Sequence, residues 1–135
     1  MANAEKMTAS IEERLDAMNH AQFAQLCRLE TVYVKEGEAA VRMPAEGVRN
    51  AMGNVHGGAI FTLADQAFAL AANSYGEPQV GISSNINYLK AAHGDLEARA
   101  TRVGETRNTS LYEVRVFDGE TLVAFFTGTG YRLRR

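Results

Sequence analysis

The sequence predicts an α+β fold in which one long buried helix packs against an antiparallel sheet of roughly five or six strands. The run from His56 to Gly76 is rich in alanine and leucine and is long enough for about five helical turns. Segments with the alternation of strands lie on both sides of it. The gaps between the later strands are too short for crossover helices, so we expect an antiparallel meander that curls around the helix.

No linker, repeat or charge block divides the chain, which predicts a single domain over residues 1–135. Ser10 and Glu13 fit a capping box at the start of an N-terminal helix. One face of that helix would carry apolar side chains, namely Ile11, Leu15 and Met18. A second short helical piece is expected over residues 20–26.

Two short strands are predicted on either side of a turn at Gly37, because apolar residues alternate from residue 29 to residue 44. A polar loop rich in glycine and asparagine follows over residues 45–55 and leads into the long helix. Beyond the helix, apolar residues alternate again in several stretches, and the turn Asp118-Gly119 separates the last two. The long helix itself is apolar nearly all round, which predicts that it is buried.

Composition excludes several classes of function. Fourteen Lys and Arg against sixteen Asp and Glu give a formal charge of −2, which argues against nucleic acid as a partner. The single cysteine, Cys27, excludes an intrachain disulfide and a cysteine zinc site. The longest apolar run, Ala67 to Ala72, is too short to cross a bilayer, and the first ten residues lack the apolar core of a secretory signal. We therefore expect a cytoplasmic protein that uses neither membrane, metal nor cofactor.

Asp65 is the only formally charged side chain between His56 and Gly76. Burying a carboxylate is costly unless it is paired, and burial raises its pKa. Asp65 would be a solvated member of a polar stripe if Thr62, Gln66 and Asn73 form one. Alternatively, it is a functional acid in an apolar setting.

The triplet His56-Gly57-Gly58 lies where the long helix begins. Free backbone N–H groups at a helix N-terminus can stabilise an oxyanion, although a plain capping turn would need the same glycines. Along a helix, nine residues from His56 to Asp65 span about 13 Å, and Gly58 lies about 10 Å from Asp65. One subunit cannot bring both groups to one carbonyl, so a site that uses both must be shared by two subunits of a homodimer.

The run Asn50-x-x-Gly53-x-x-His56-Gly57-Gly58-x-x-Phe61-x-Leu63-Ala64-Asp65 resembles the hotdog-fold acyl-CoA thioesterases, in particular their PaaI-like (phenylacetyl-CoA thioesterase) branch. The segment Ile86-Asn87-Tyr88-Leu89-Lys90 is similar to the strand that follows the helix in that family. The resemblance implies a helix wrapped by a sheet, dimers with continuous sheets, and homotetramers built from two dimers. It also implies hydrolysis of an acyl-CoA, aromatic or medium-chain, to a free acid and CoA.

The same resemblance assigns catalytic roles. Asp65 would be the general base or nucleophile, and the backbone N–H of Gly57 or Gly58 would hold the thioester oxygen. Asn50 would orient water or substrate. His56 would steady the loop or the sulfur side of the thioester.

Some relatives carry a serine or threonine on the strand after the helix. The matching position here is Gly81, with Ser83 and Ser84 close behind, so either serine is a candidate for substrate binding or an ordinary strand residue. The phosphates of CoA need cations at the mouth of the site. Lys90 and Arg107 are the candidates, with Arg102 and the basic C-terminus as others, and solubilising surface charge is the alternative for each.

Two rival functions remain open from the sequence. A hotdog module that binds acyl-CoA without hydrolysing it is one, but the N-terminal segment is short for an added regulatory region. A dehydratase acting on 3-hydroxyacyl thioesters is the other. It would need a histidine paired with an acid at the β-carbon, and His20 and His93 lie outside the helix segment.

Overall fold

The computed structural model describes residues 10–134 and confirms the α+β fold. One long helix lies against a six-stranded sheet, and two short helices precede them. The elements in chain order are α1 (Ile11–Asn19), α2 (Gln22–Leu26), β1 (Glu30–Lys35), β2 (Glu38–Met43), α3 (Gly57–Ala72), β3 (Gln79–Tyr88), β4 (Leu96–Glu105), β5 (Thr109–Asp118) and β6 (Thr121–Arg132).

The strands are antiparallel and follow the order β1-β2-β4-β5-β6-β3. The expected meander is correct for β4, β5 and β6 but wrong for β3, which pairs with β6 rather than with β4. The reason is that α3 follows β2 and carries the chain across the sheet, so β4 takes the place beside β2. Strands β1 and β3 are therefore the two edges of the sheet in one chain.

Helix α3 packs on β2, β4 and β5, and its inner side forms the centre of the core. The expectation that α3 is buried holds for its inner side but not for one stripe, where Gly58 and Asp65 are exposed and Thr62 and Ala69 are half-buried. The sheet curls around only part of the helix, which leaves this stripe uncovered in one chain. The buried residues of α3 are Ile60, Leu63, Ala64, Ala67, Phe68, Leu70, Ala71 and Ala72.

The long helix ends at Ala72, four residues before the expected end at Gly76. Its C-cap is Asn73, which is 1% exposed and whose side-chain amide donates to the carbonyl oxygens of Ala69 (2.9 Å) and Gln79 (3.1 Å). The Asn73 Oδ1 accepts from the Gln79 N–H at 2.8 Å. These bonds turn the chain into β3, and Gly76, with φ of 59°, lies in the turn.

Arg14 joins the N-terminal helix to the end of α3. Its side chain is 4% exposed, and its guanidinium donates to the carbonyl oxygens of Asn73 (3.0 Å), Tyr75 (3.1 Å) and Gly76 (2.6 Å). Carbonyl groups at a helix C-terminus lack partners inside the helix and interact favourably with a cation. Ser10, as expected, caps α1 by accepting from the Glu13 N–H at 3.1 Å.

Replacing Arg14 by methionine should lower the free energy of unfolding by about 3 kcal/mol, because the stem is kept while buried carbonyl groups lose their donors. Urea denaturation would measure the loss. Arg42→Met is the matched control, since Arg42 forms an exposed ion pair with Glu97 and such pairs contribute less than about 1 kcal/mol. Equal losses in the two variants would contradict a structural role for the Arg14 bonds.

Candidate active site

Strand β3 supplies the outer edge of the sheet beside α3. Its register shifts between Gly81 and Ser83, which marks a β-bulge. Val80 and Ile82 are 44% and 58% exposed, although their alternation is typical of a half-buried strand. An unpaired edge with exposed apolar side chains is a surface that another strand can cover.

Two openings beside α3 contain most of the predicted site residues. The first, which we call the amide cleft, has a volume of about 340 Å³ and lies at the start of the helix. It is lined by Asn50, Asn54, Val55, Gly57, Ile60, Tyr88, Leu89, Lys90, Ala91 and Ala92. The second, the carboxylate pocket, has a volume of about 320 Å³. It is lined by Phe61, Asp65, Phe68, Gly81, Ile82, Ser83 and Ser84.

The hydrogen bonds at the start of α3 single out one free donor. His56 is the N-cap, and its carbonyl accepts from the N–H groups of Ala59 (2.9 Å) and Ile60 (3.0 Å). The Gly58 N–H donates to the His56 Nδ1 at 2.8 Å. No acceptor within residues 10–134 takes the Gly57 N–H, as expected for the first residue of a helix. Of the two predicted donors, Gly57 is the one available to a ligand.

The His56 side chain is therefore hydrogen-bonded to the backbone in this structure. An Nδ1 that accepts a hydrogen bond carries no proton, so the neutral ring holds its proton on Nε2. The His56 N–H also donates to the Val48 carbonyl at 2.8 Å. His56 and Gly58 line a different opening from Gly57, a cleft of about 400 Å³ beside Phe23 and Cys27. This placement agrees with a role in steadying the loop.

Asn50 orders the loop that leads into α3. Its Oδ1 accepts from the N–H groups of Met52 (3.0 Å) and Asn54 (3.1 Å), and its own N–H donates to the Asn54 carbonyl at 2.7 Å. Because Oδ1 is used within the loop, the side-chain NH₂ group is the part of Asn50 that can serve a ligand. The side chain of Asn50 thus contributes a hydrogen-bond donor to the lining of the amide cleft.

Tyr88 and Lys90 complete the amide cleft at the end of β3. The Tyr88 hydroxyl donates to the Gly57 carbonyl at 2.9 Å. Sequence reasoning assigned no role to Tyr88, although it lies two residues before Lys90 in the segment that resembles the family's strand. Lys90 is exposed and offers its ammonium group at the rim of the cleft.

Asp65 lies against an aromatic wall. The rings of Phe61 and Phe126 meet edge to face at 5.5 Å, and those of Phe68 and Phe126 are 5.9 Å apart. Asp65 is exposed in one chain, yet partial burial raises the pKa of its carboxyl by desolvation. Desolvation disfavours the charged form, and a carboxylate with a raised pKa is a stronger base.

The floor of the carboxylate pocket depends on glycines in the sheet. A Cβ at Gly81 would lie 3.1 Å from Cε2 of Phe68, and one at Gly128 would lie 3.1 Å from both Cδ atoms of the same ring. Gly81, where some relatives carry a hydroxyl, here makes room for Phe68. Ser83 and Ser84 line the pocket mouth and are exposed.

The predicted cations are not gathered in one chain. Arg107 lies in the turn between β4 and β5, where its carbonyl accepts from the guanidinium of Arg132 at 3.4 Å. Lys90 lies at the other end of β6, where its N–H donates to the Val123 carbonyl at 3.3 Å. The nine positions between Val123 and Arg132 span about 30 Å. Arg102 stacks on Tyr75, with its Cζ 4.8 Å from the ring centroid.

Gly57 and Asp65 are also apart within one chain. They lie eight positions from each other on a continuous helix, which corresponds to about 12 Å along the axis. The amide cleft holds Gly57 without Asp65, and the carboxylate pocket holds Asp65 without Gly57. The geometry agrees with the inference that one subunit cannot apply both groups to one carbonyl.

The raised pKa of Asp65 makes a prediction for stability. A carboxyl whose pKa is higher in the folded than in the unfolded state binds its proton more tightly when folded, so its contribution falls as the pH rises through that window. The melting temperature of Asp65→Asn should therefore exceed that of the wild type at about pH 8 and equal it, within about 1 °C, at about pH 4. Calorimetry checks this, with Glu120→Gln in the exposed β5–β6 turn as the control. A pH-independent difference would contradict it.

Residues 10–134 contain no group of three His, Cys, Asp or Glu side chains placed to hold a metal ion. No helix among them is both long enough and apolar enough to span a bilayer.

Known proteins resemble the chain in sequence and in fold. The sequence profile of the Thioesterase superfamily matches residues 52–125, more than half of the chain. The acyl-coenzyme A thioesterase PaaI of Escherichia coli K12 is 32% identical over 114 residues, which cover 82% of this chain and 81% of that protein.

Solved structures agree with the sequence comparison. A variant of the phenylacetic acid degradation protein PaaI of Thermus thermophilus superposes with a TM-score of 0.79 at 38% identity, over 82% of this chain and 98% of that one. A hypothetical thioesterase protein of Streptococcus pneumoniae TIGR4, solved with coenzyme A, has a TM-score of 0.73 at 31% identity, over 79% of this chain and 87% of that one. The chain thus belongs to the Thioesterase superfamily, in which it is a PaaI-like thioester hydrolase with the hotdog fold.

Proposed function

We propose that the protein hydrolyses an acyl-CoA, with an aromatic acyl group such as phenylacetyl or a medium-chain one, to a free acid and CoA. Asp65 acts as general base or nucleophile, and the Gly57 N–H stabilises the oxyanion. The observation that carries this proposal is the Gly57 N–H, which has no acceptor within residues 10–134 and lines a cleft with Asn50 and Lys90.

The active site lies between two subunits of a homodimer. When two copies of the free β3 edge pair antiparallel about a two-fold axis, the end of one strand meets the start of the other. The partner's Tyr88, and with it the partner's Gly57, would then lie opposite the first residues of β3. Those residues, from Gly81 on, form the wall of the carboxylate pocket of Asp65. The pairing also covers Val80 and Ile82. Two such dimers would form a homotetramer.

In the general-base route, the Asp65 carboxylate takes a proton from water while the water oxygen bonds to the thioester carbon. The carbonyl oxygen becomes an oxyanion and accepts a hydrogen bond from the partner's Gly57 N–H, where the partial positive charge of the helix start adds to the stabilisation. Collapse of this intermediate breaks the C–S bond. CoA leaves as the thiol after it takes the proton from Asp65.

In the nucleophilic route, an oxygen of Asp65 bonds to the thioester carbon, and CoA thiolate leaves before water enters. Label found in Asp65 after turnover in ¹⁸O-water identifies the nucleophilic route. In ¹⁸O-water, direct attack labels the product in the first turnover. An anhydride opened at the Asp65 carboxyl carbon gives unlabelled product first and leaves the label in Asp65, which mass spectrometry of the peptide detects.

The acyl group would lie against the Phe61 and Phe68 rings. A pocket of about 320 Å³ is of the size that takes a small apolar ligand, and aromatic walls bind both aryl rings and alkyl chains through apolar contact. The Lys90 ammonium at the amide cleft would meet a phosphate of CoA. Arg107 and the two serines, Ser83 and Ser84, remain candidates for further substrate contacts.

The decisive experiment is thiol release, followed with DTNB, over acyl-CoAs that differ only in the acyl group. We expect turnover that is highest for aryl-acyl or medium-chain substrates and at least about tenfold lower for acetyl-CoA, since a filled apolar pocket is worth about 1–3 kcal/mol. Tight binding of acyl-CoA without thiol release would instead support the binding-module alternative. Release of water from 3-hydroxyacyl-CoA would support the dehydratase.

A further inference from the structure

Tyr88 makes a contact that the reaction as proposed does not use. Its side chain is 52% exposed, yet its hydroxyl donates to the Gly57 carbonyl at 2.9 Å. The ring also lies beside the Gly57 Cα: a Cβ built on Gly57 would be 3.4 Å from Cζ of Tyr88. The hydroxyl and the ring edge therefore hold one residue, the one that carries the free N–H.

Gly57 needs such a restraint more than its neighbours do. His56 is fixed on both sides, because its N–H donates to Val48 and its carbonyl accepts from Ala59 and Ile60. The Gly58 N–H is fixed by the His56 ring. Glycine has the widest range of backbone conformations of any residue, and the N–H of Gly57 has no protein acceptor within residues 10–134 to hold it. The Tyr88 hydroxyl adds a bond across the cleft to the Gly57 carbonyl.

We propose that Tyr88 is a positioning residue, which fixes the Gly57 backbone so that its N–H points to the developing oxyanion. This inference rests on the proposed role of Gly57 as the oxyanion donor. A donor works best when it is already oriented before charge develops, because reorientation during the reaction raises the barrier. The contact between β3 and the helix start thus tunes the rate constant of the chemical step rather than substrate affinity.

The test is Tyr88→Phe, which keeps the ring and removes only the hydroxyl. We expect kcat to fall by about fivefold to tenfold, because small losses of alignment reduce rates strongly, while KM and the melting temperature stay within about twofold and 2 °C of the wild type. Tyr131→Phe is the matched control, since Tyr131 is 44% exposed on β6 and lies outside both openings. A fall in kcat for Tyr131→Phe as large as that for Tyr88→Phe would overturn the proposal.

A second experiment, in the Gly57→Ala variant, tests whether Tyr88 acts by restraining the Gly57 backbone. Gly57→Ala keeps the N–H, places its Cβ at ordinary contact distance from Tyr88, and narrows the backbone freedom that Tyr88 restrains. Removing the hydroxyl in the Gly57→Ala background should therefore cost less than about twofold in kcat. An equal fold loss in both backgrounds, or no loss in the Tyr88→Phe single variant, would overturn the role of Tyr88.

The proposed function has its own readout. Gly57→Pro removes the N–H at the first helical position, where proline is tolerated, and the preceding His56 already has the extended ψ of 136° that a following proline favours. Full activity of Gly57→Pro would remove Gly57 from the reaction. Loss of activity in Gly57→Pro together with a silent Tyr88→Phe would remove only Tyr88.

Discussion

Asp65→Asn should lower kcat for acyl-CoA hydrolysis by about a thousandfold, or about 4 kcal/mol of transition-state stabilisation. Asparagine has nearly the same shape as aspartate but cannot accept the proton of water or form an acyl anhydride. Both routes proposed for Asp65 therefore fail in this variant. We expect KM to change by less than about threefold, because the apolar wall of Phe61 and Phe68 is kept.

Thiol release under substrate saturation measures this loss. Glu120→Gln, an exposed carboxylate of the β5–β6 turn, is the matched control and should retain full activity. The oligomeric state of Asp65→Asn should equal that of the wild type by light scattering. Near-normal turnover of the variant would remove Asp65 from the chemistry.

Mixed dimers of Asp65→Asn and Gly57→Pro should recover activity that neither variant has alone. In a shared site, each hybrid contains one intact site, built from Asp65 of one chain and Gly57 of the other, and one site that lacks both. Random mixing of equal amounts makes about half of the dimers hybrids, so the mixture should reach about a quarter of wild-type kcat.

Co-expression with two different affinity tags, followed by sequential purification, isolates the hybrid. Hybrids of the wild type with a chain that carries both substitutions are the control. Each of their two sites lacks one group, so they should be as inactive as the parents. An inactive Asp65→Asn and Gly57→Pro hybrid that remains dimeric would contradict the shared site, because it would mean that each site depends on Asp65 and Gly57 of the same chain.

The sequence predicted those parts of the fold that local patterns determine. An alanine-rich run forms α3, Ser10 caps α1, and the turn at Asp118-Gly119 joins β5 to β6. The neighbour of β3 could not be predicted from the same patterns, because an alternating strand fits equally well beside β4 or β6. The choice between them depends on where the chain emerges from α3 relative to the sheet. That position depends on packing across the whole sheet.

In the candidate site, too, some features follow from the local sequence and others depend on the folded structure. The acid at Asp65 and the glycines at the helix start follow from residue type and spacing. The choice between the Gly57 and Gly58 amides does not, because it depends on the rotamer with which the His56 ring accepts one N–H. Tyr88 was missed for a related reason: its contact with Gly57 joins residues 31 positions apart, and its ring alone resembles any other strand aromatic.

The free edge of β3 also bears on how the protein is made. In the proposed dimer, a newly folded subunit would present unpaired backbone groups beside Val80 and Ile82 until its partner binds, and such an edge can also pair with other extended chains. Synthesis at a low rate or at high dilution would prolong the time that a subunit spends with its β3 edge unpaired. The yield of unaggregated protein should therefore depend on chaperones and on the expression level. The substitution Ile82→Lys should suppress aggregation of unpaired subunits while it hinders their assembly.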